Sequence, residues 1–364
     1  MFEKTIKQKI PSFINGINLS VFAYGQTSTG KTFTMNGSEK NPGIIPLTIE
    51  EIFKLLGEDN TISKFILKAS YLELYNETVN DLLNPNNKNL EVRESAQKGV
   101  FVNNLTETLF TSKEKALQLL KKGDSFKITA ETKLNEKSSR SHSIFRISLE
   151  VSKNIDGKNK TFFSQINLID LAGSENVSKA KTEGIRMKEG SNINKSLLAL
   201  SNVISKLSSN PKSFVNFRDS KLTRLLQNGL SGNSKTTIIC TISEIASCNS
   251  ETLNTLHFGN KAKNIKTDIK INELKEQNKM MIENNELKNK IKLLEELIKE
   301  KKTLTEEKDD SKKKQFIKTE KKEKNQNQNQ NNDQLNNING TYEKIFSEEK
   351  SEENLEDKNK EMQM

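Results

Sequence analysis

An apolar run that flows straight into Gly-x-x-x-x-Gly-Lys-Thr constrains this chain most: Val21-Phe22-Ala23-Tyr24-Gly25-Gln26-Thr27-Ser28-Thr29-Gly30-Lys31-Thr32. Glycines at both ends let the backbone curl until successive N–H groups point inward at an anion. A helix starting near Lys31 adds the positive end of its dipole. Lys31 then reaches the β- and γ-phosphates of a nucleotide, and the Thr32 hydroxyl is placed to ligate a Mg²⁺ that bridges them. The β-branched and aromatic segment Ile17 to Tyr24 supplies the strand that the motif requires before its loop. The pattern specifies a nucleotide, not a job.

Two further segments complete such a site. Ile166 to Glu175 (INLIDLAGSE) reads as a buried strand ending in Asp170, then a small-residue turn. An acid at that position can hold Mg²⁺ through water, and the Gly173 N–H can meet a γ-phosphate that exists only before hydrolysis. Asn135 to His142 (NEKSSRSH) places hydroxyls beside an arginine. That suits a loop that closes over Mg²⁺ and γ-phosphate and loosens once the group leaves.

In this order, the segments Gly25–Thr32, Asn135–His142 and Asp170–Glu175 resemble the phosphate loop, switch I and switch II of a kinesin motor domain. Tyr71 to Glu77, Asn192 to Leu197 and Phe217 to Leu226 are similar too, so the resemblance runs from about Ile10 to Asn272. It implies an α/β P-loop NTPase fold, with a central mostly parallel or mixed sheet flanked by helices, in an ATP-hydrolysing motor. Gly25, Gln26, Thr27, Ser28, Thr29, Gly30, Lys31 and Thr32 would hold ATP. Thr32 and Ser139 would ligate Mg²⁺, with Asp170 acting through water. Ser138 and Glu175 would position the attacking water, Arg140 would pair with Glu175 to latch the switches, and Gly173 would sense the γ-phosphate. His142 is read as shaping switch I rather than transferring protons, and His257 as a packed structural residue.

The resemblance also implies a track. A formal net charge of +10 favours an acidic partner, and on charge alone nucleic acid, a membrane surface or an acidic protein polymer all qualify. Kinesins meet tubulin through the helix after switch II and the loop-helix that follows. Lys195, Arg218, Lys221 and Arg224 are thereby the candidate microtubule contacts, with internal ion pairing as the competing reading. Neither an aromatic stacking platform nor a recognition helix for nucleic acid is visible. No apolar run reaches membrane-spanning length, and no signal peptide stands at the amino terminus. Two cysteines give neither a disulfide framework nor a zinc site. A reduced cytoplasmic setting on the microtubule cytoskeleton follows, with the spindle admissible.

The expected organisation is a motor domain over 1–266, a neck linker over 267–273, a helical segment over 274–305 and a polar tail over 306–364. Met280, Leu287, Ile291, Leu294 and Ile298 recur as a short coiled-coil seam would, compatible with a homodimer or with a solvated single helix. The Lys/Glu blocks and the tract Asn325 to Asn332 cannot bury enough apolar surface to offset chain entropy, so the tail is expected to be disordered. By the resemblance to kinesins, a linker at the carboxyl end of the motor implies plus-end movement. Lys188 to Ser196 and Glu131 to Asn135 most resemble centromere-associated plus-end kinesins.

Two departures from the family stand out. The first strand, small β-lobe and adenine-embracing Arg-x-Arg-Pro segment expected before Phe2 are missing, so an incomplete amino terminus and an uncovered edge at Thr236–Ile242 are expected. Lys127 stands where many relatives carry an arginine, and a point charge cannot copy a planar fork. The alternative function is a nucleotide-gated microtubule binder without productive cycling. A small-GTPase-like switch would need Asn-Lys-x-Asp, and Asn260-Lys261-Ala262-Lys263 lacks the acid.

Overall fold

The computed structural model describes residues 1–95, 99–132, 137–175, 185–210 and 214–274. All but the first residue of the expected helical segment 274–305, and the whole tail, lie outside the described residues. In chain order the elements are α1 (Phe2–Thr5), α2 (Ile10–Ile14), β1 (Leu19–Gly25), α3 (Lys31–Met35), α4 (Ile44–Glu58), β2 (Ile62–Tyr75), β3 (Thr78–Asp81), β4 (Val92–Ser95), β5 (Gly99–Val102) and β6 (Thr108–Phe110). There follow α5 (Lys113–Thr132), β7 (Ser141–Ile155), β8 (Lys158–Asp170), α6 (Ile185–Ser209), α7 (Lys221–Leu230), β9 (Lys235–Thr241), α8 (Asn249–Lys263) and β10 (Glu273–Leu274).

All seven residues of β1 are buried, because it runs inside the sheet with parallel neighbours β8 and β9 on its two sides. Successive side chains leave opposite faces. Leu19, Val21 and Ala23 enter one core with Ile10, Ile49 and Leu120, while Phe22 and Tyr24 enter the other with Leu200, Leu226 and Phe258. The strand order is β3-β2-β7-β8-β1-β9. Among the described residues only the two pairings of β1 are parallel, so of the two expected forms the sheet takes the mixed one. The reason is local: Asp156 and Gly157, at φ 52° and 73°, turn β7 back on β8 as an Asp-Gly hairpin.

β9 ends the strand order and pairs, among the described residues, with β1 alone. Six of its seven residues are only half-buried, as an edge position dictates. Beyond α8 the chain returns along the body. Asn272 donates its backbone N–H to Gly16 O at 2.9 Å and accepts from the Phe163 N–H at 2.9 Å, and β10 then pairs antiparallel with Phe162 and Thr161 of β8.

One expectation is overturned. His257 is exposed, because α8 buries Thr255 and Phe258 instead. The Phe258 ring stacks on Tyr24 with centroids 3.7 Å apart and planes 6° from parallel. At 3.6 residues per turn its neighbour 257 is rotated about 100° out of that contact.

Candidate active site

The loop after β1 turns because its glycines permit it. Gly30 has φ +92°, a left-handed value that a side chain would strain, and a Cβ on Gly25 would lie 2.1 Å from Thr241 O. The loop hydroxyl of Thr29 meets the Thr241 hydroxyl at 2.6 Å, tying the loop to the end of β9. α3 starts at Lys31, and the Lys31 ammonium folds back to donate to Gly25 O at 2.9 Å and Gln26 O at 2.8 Å. Burial lowers its pKa, while the charges of Asp170 and Glu175 oppose that shift.

Asp170 arrives at the carboxyl end of β8, where the sheet holds it beside β1. Its Oδ2 accepts from the Thr32 hydroxyl at 2.6 Å and lies 4.0 Å from the Lys127 ammonium of α5. Its Oδ1 is buried and, among the described residues, has no hydrogen-bond partner. A buried, unpaired carboxylate oxygen is costly in a protein interior. With a threonine hydroxyl beside it, the donor set is all oxygen, which fits a hard divalent cation such as Mg²⁺ held through water.

Segments 137–142 and 170–175 meet each other and the loop through the backbone. Gly173 N–H donates to Ser139 O at 2.9 Å, and Ser174 N–H donates to Gly25 O at 3.0 Å. Glu175 Oε2 accepts the Thr27 backbone N–H at 2.7 Å, and its Oε1 accepts from the Thr27 hydroxyl. Ser138, Ser139 and Arg140 share the 3₁₀ turn Lys137–Arg140 that feeds β7; the Ser138 side chain lies outside the described residues. His142 is enclosed: Ala172 N–H donates to Nδ1 at 3.0 Å, and Nε2 lies 3.1 Å from Ser196 Oγ.

Residues 1–265 match the kinesin motor domain. The chain belongs to the kinesin motor-domain family. It is 46% identical over 286 residues to Kinesin-related protein 4 of Dictyostelium discoideum, an alignment that takes in 77% of this chain and 15% of that protein. Among solved structures, it is similar to a fast kinesin at TM-score 0.70 and 41% identity, covering 76% of this chain and 78% of that one. A second is a KIF14 dimer with AMP-PNP in complex with a microtubule, at TM-score 0.68 and 38% identity, covering 74% and 78%.

The kinesin's candidate track-binding cations are not equivalent. Lys195 on α6 is exposed, and Arg218 is 76% exposed with Glu94 Oε2 3.8 Å away. Arg224, by contrast, is only 14% exposed and is held by Glu94 at 3.1 Å and Gln227 at 3.2 Å. Lys221 is half-buried at the start of α7, where Ser220 Oγ caps the Thr223 N–H and Glu77 accepts the Lys221 backbone N–H. Glu94, Thr241 and Ser196 escaped the sequence reading. Each meets its partner only through chain segments far apart in sequence, so no local spacing announced it.

Proposed function

We propose that this kinesin chain hydrolyses ATP at the loop Gly25–Thr32 and that the nucleotide state sets its grip on microtubules. The observation that carries this reading is the convergence on Asp170: Thr32 bonded to one carboxylate oxygen and the other oxygen buried without a partner. Thr32, Ser139 and Asp170 through water would hold Mg²⁺. The bound cation supplies positive charge to the β- and γ-phosphate oxygens. Lys31 adds a second, protein-borne charge beside them, and the loop amides supply oriented dipoles; placement of charge of this kind is most of what phosphoryl transfer requires.

Glu175, with Ser138, would orient water for in-line attack, and Arg140 would steady Glu175. Gly173 N–H would exchange Ser139 O for a γ-phosphate oxygen, drawing the switches together. Lys195 and Arg218 would face the acidic filament, with Lys221 and Arg224 nearer the body. The segment 267–273 acts as the neck linker, a role supported by its bonds to Gly16 and Phe163, and by family analogy it directs movement to the plus end. The setting is the cytoplasmic microtubule array, with the spindle and the centromere-associated subfamily as the finer reading; a homodimer would form through 274–305. The test is steady-state ATPase of the full chain with and without microtubules: acceleration by the filament supports the motor, and a rate unmoved by microtubules refutes it.

A further inference from the structure

His142 is the one imidazole enclosed at the junction of both switch segments, with 2% of its surface exposed. It stands second in β7, directly after the switch I turn. Nδ1 accepts the Ala172 N–H, so that nitrogen carries no proton. Burial, with Lys127 and Lys31 nearby, holds the pKa down at about 3, which keeps the ring neutral. Its single proton therefore sits on Nε2 and is donated to Ser196 Oγ on α6. One rigid ring thus joins β7, the backbone entering switch II, and the helix that carries Lys195.

We propose that His142 is a positioning residue that transmits the register of switch II to α6, an inference that rests on the motor reading above. Two neighbouring amides divide the work. Gly173 N–H donates to a backbone carbonyl, Ser139 O, and can exchange that partner for a phosphate oxygen. Ala172 N–H, one residue earlier, ends on a buried ring nitrogen. When Gly173 changes partner, the shift at Ala172 passes through the imidazole to Ser196. Ser196 is buried at 3%, flanked by buried Leu197 and exposed Lys195, so displacement there repositions a candidate filament contact. A packed interior responds by discrete rearrangement rather than by stretching, which is what such a link needs.

The experiment separates the two arms of the ring. In His142→Asn the carboxamide oxygen can stand in for Nδ1 while the reach to Ser196 is lost; Ser196→Ala cuts the same arm from the other side. His142→Gln keeps reach toward Ser196 and loses the Nδ1 acceptor. For the full chain, microtubule dissociation constants are measured by cosedimentation with AMP-PNP and with ADP, alongside the melting temperature of each variant. The ratio of the two constants should fall about fivefold in each single variant, and no further in the double variant His142→Asn, Ser196→Ala, because both changes cut one bond. A wild-type ratio in variants that merely melt earlier, or independent effects in the double variant, overturns the proposal. A ratio of one in the wild-type chain overturns the motor reading itself.

Discussion

The Glu175 carboxylate sits on the loop Gly25–Thr32, its Oε2 accepting the Thr27 backbone N–H at 2.7 Å. Loop amides of this kind are the donors that a phosphate uses. A residue proposed to orient water thus also competes with nucleotide for a hydrogen bond. On the proposed reading, Glu175 gives up Thr27 when nucleotide is gripped.

That competition predicts opposite effects on two constants. Glu175→Gln weakens the hold on the attacking water, so ATP turnover should fall about a hundredfold, the scale of a misplaced reactant. Nucleotide affinity should hold or rise, because a neutral amide is a weaker rival for the Thr27 N–H. Single-turnover hydrolysis with fluorescent-nucleotide titration measures both, and a variant that loses affinity would contradict the competition.

Lys31→Ala should cost about 3 kcal/mol of transition-state stabilisation, or roughly a hundredfold in kcat/KM, as removal of one preorganised charge-stabilising contact does. The lysine also bridges the carbonyls of Gly25 and Gln26, so the loop itself loses two bonds. Near-normal microtubule-stimulated turnover in this variant would refute the assignment.

Asn272→Ala keeps the backbone bonds of the linker but deletes two side-chain bonds, one to Gly16 O at 2.9 Å and one from Asn233 Nδ2 at 2.8 Å. A loss of about 1 kcal/mol of docking follows. Hydrogen exchange at the Phe163 amide, which donates to Asn272 O, should speed up roughly fivefold, and filament gliding should slow.

Arg218→Ala and Arg224→Ala should part company. Exposed Arg218 faces solvent, so its loss weakens microtubule binding roughly fivefold and flattens the salt dependence, since exposed charges are screened beyond about 8 Å at physiological ionic strength. Arg224 is held internally by Glu94 and Gln227, so its loss lowers the melting temperature and changes binding little. Cosedimentation over a salt series, paired with thermal melts, distinguishes the two.

His142 makes stability depend on pH in a stated direction. Its folded pKa of about 3 lies below the ordinary 6.5, so below pH 6.5 the unfolded chain binds a proton that the folded chain refuses. The contribution is complete above 6.5 and drains as pH falls. Between pH 7.5 and 5.5 it amounts to about 1 kcal/mol. Denaturant titrations at the two pH values should show a smaller decline in His142→Gln than in wild type.

The turn Gly25–Thr32, the segments 137–142 and 170–175 that meet there and the strands around them were legible because each is a local pattern: an apolar run, a glycine-bounded turn, a carboxylate at a strand end. The strand read over Ile17–Tyr24 overlaps β1, and the one read as ending in Asp170 is the carboxyl end of β8. What escaped depended on distance along the chain. Glu94 reaches Arg224 across 130 residues, and His142 reaches Ser196 across 54. His257 was misplaced because α8 has a narrow apolar stripe, and one step of the helix decides between the Tyr24 ring and water.

β8 carries the carboxylate of Asp170 at one end and, eight residues earlier at Phe162, the partner of β10. At about 3.3 Å per residue the strand spans roughly 26 Å between them. It therefore works as a ruler whose two marks are read by different chemistry. Deleting a single residue between Phe163 and Ile169 would leave every group at both marks intact, yet turn one mark to the opposite side of the sheet, and on the proposed motor reading it would uncouple fuel from stride without touching either.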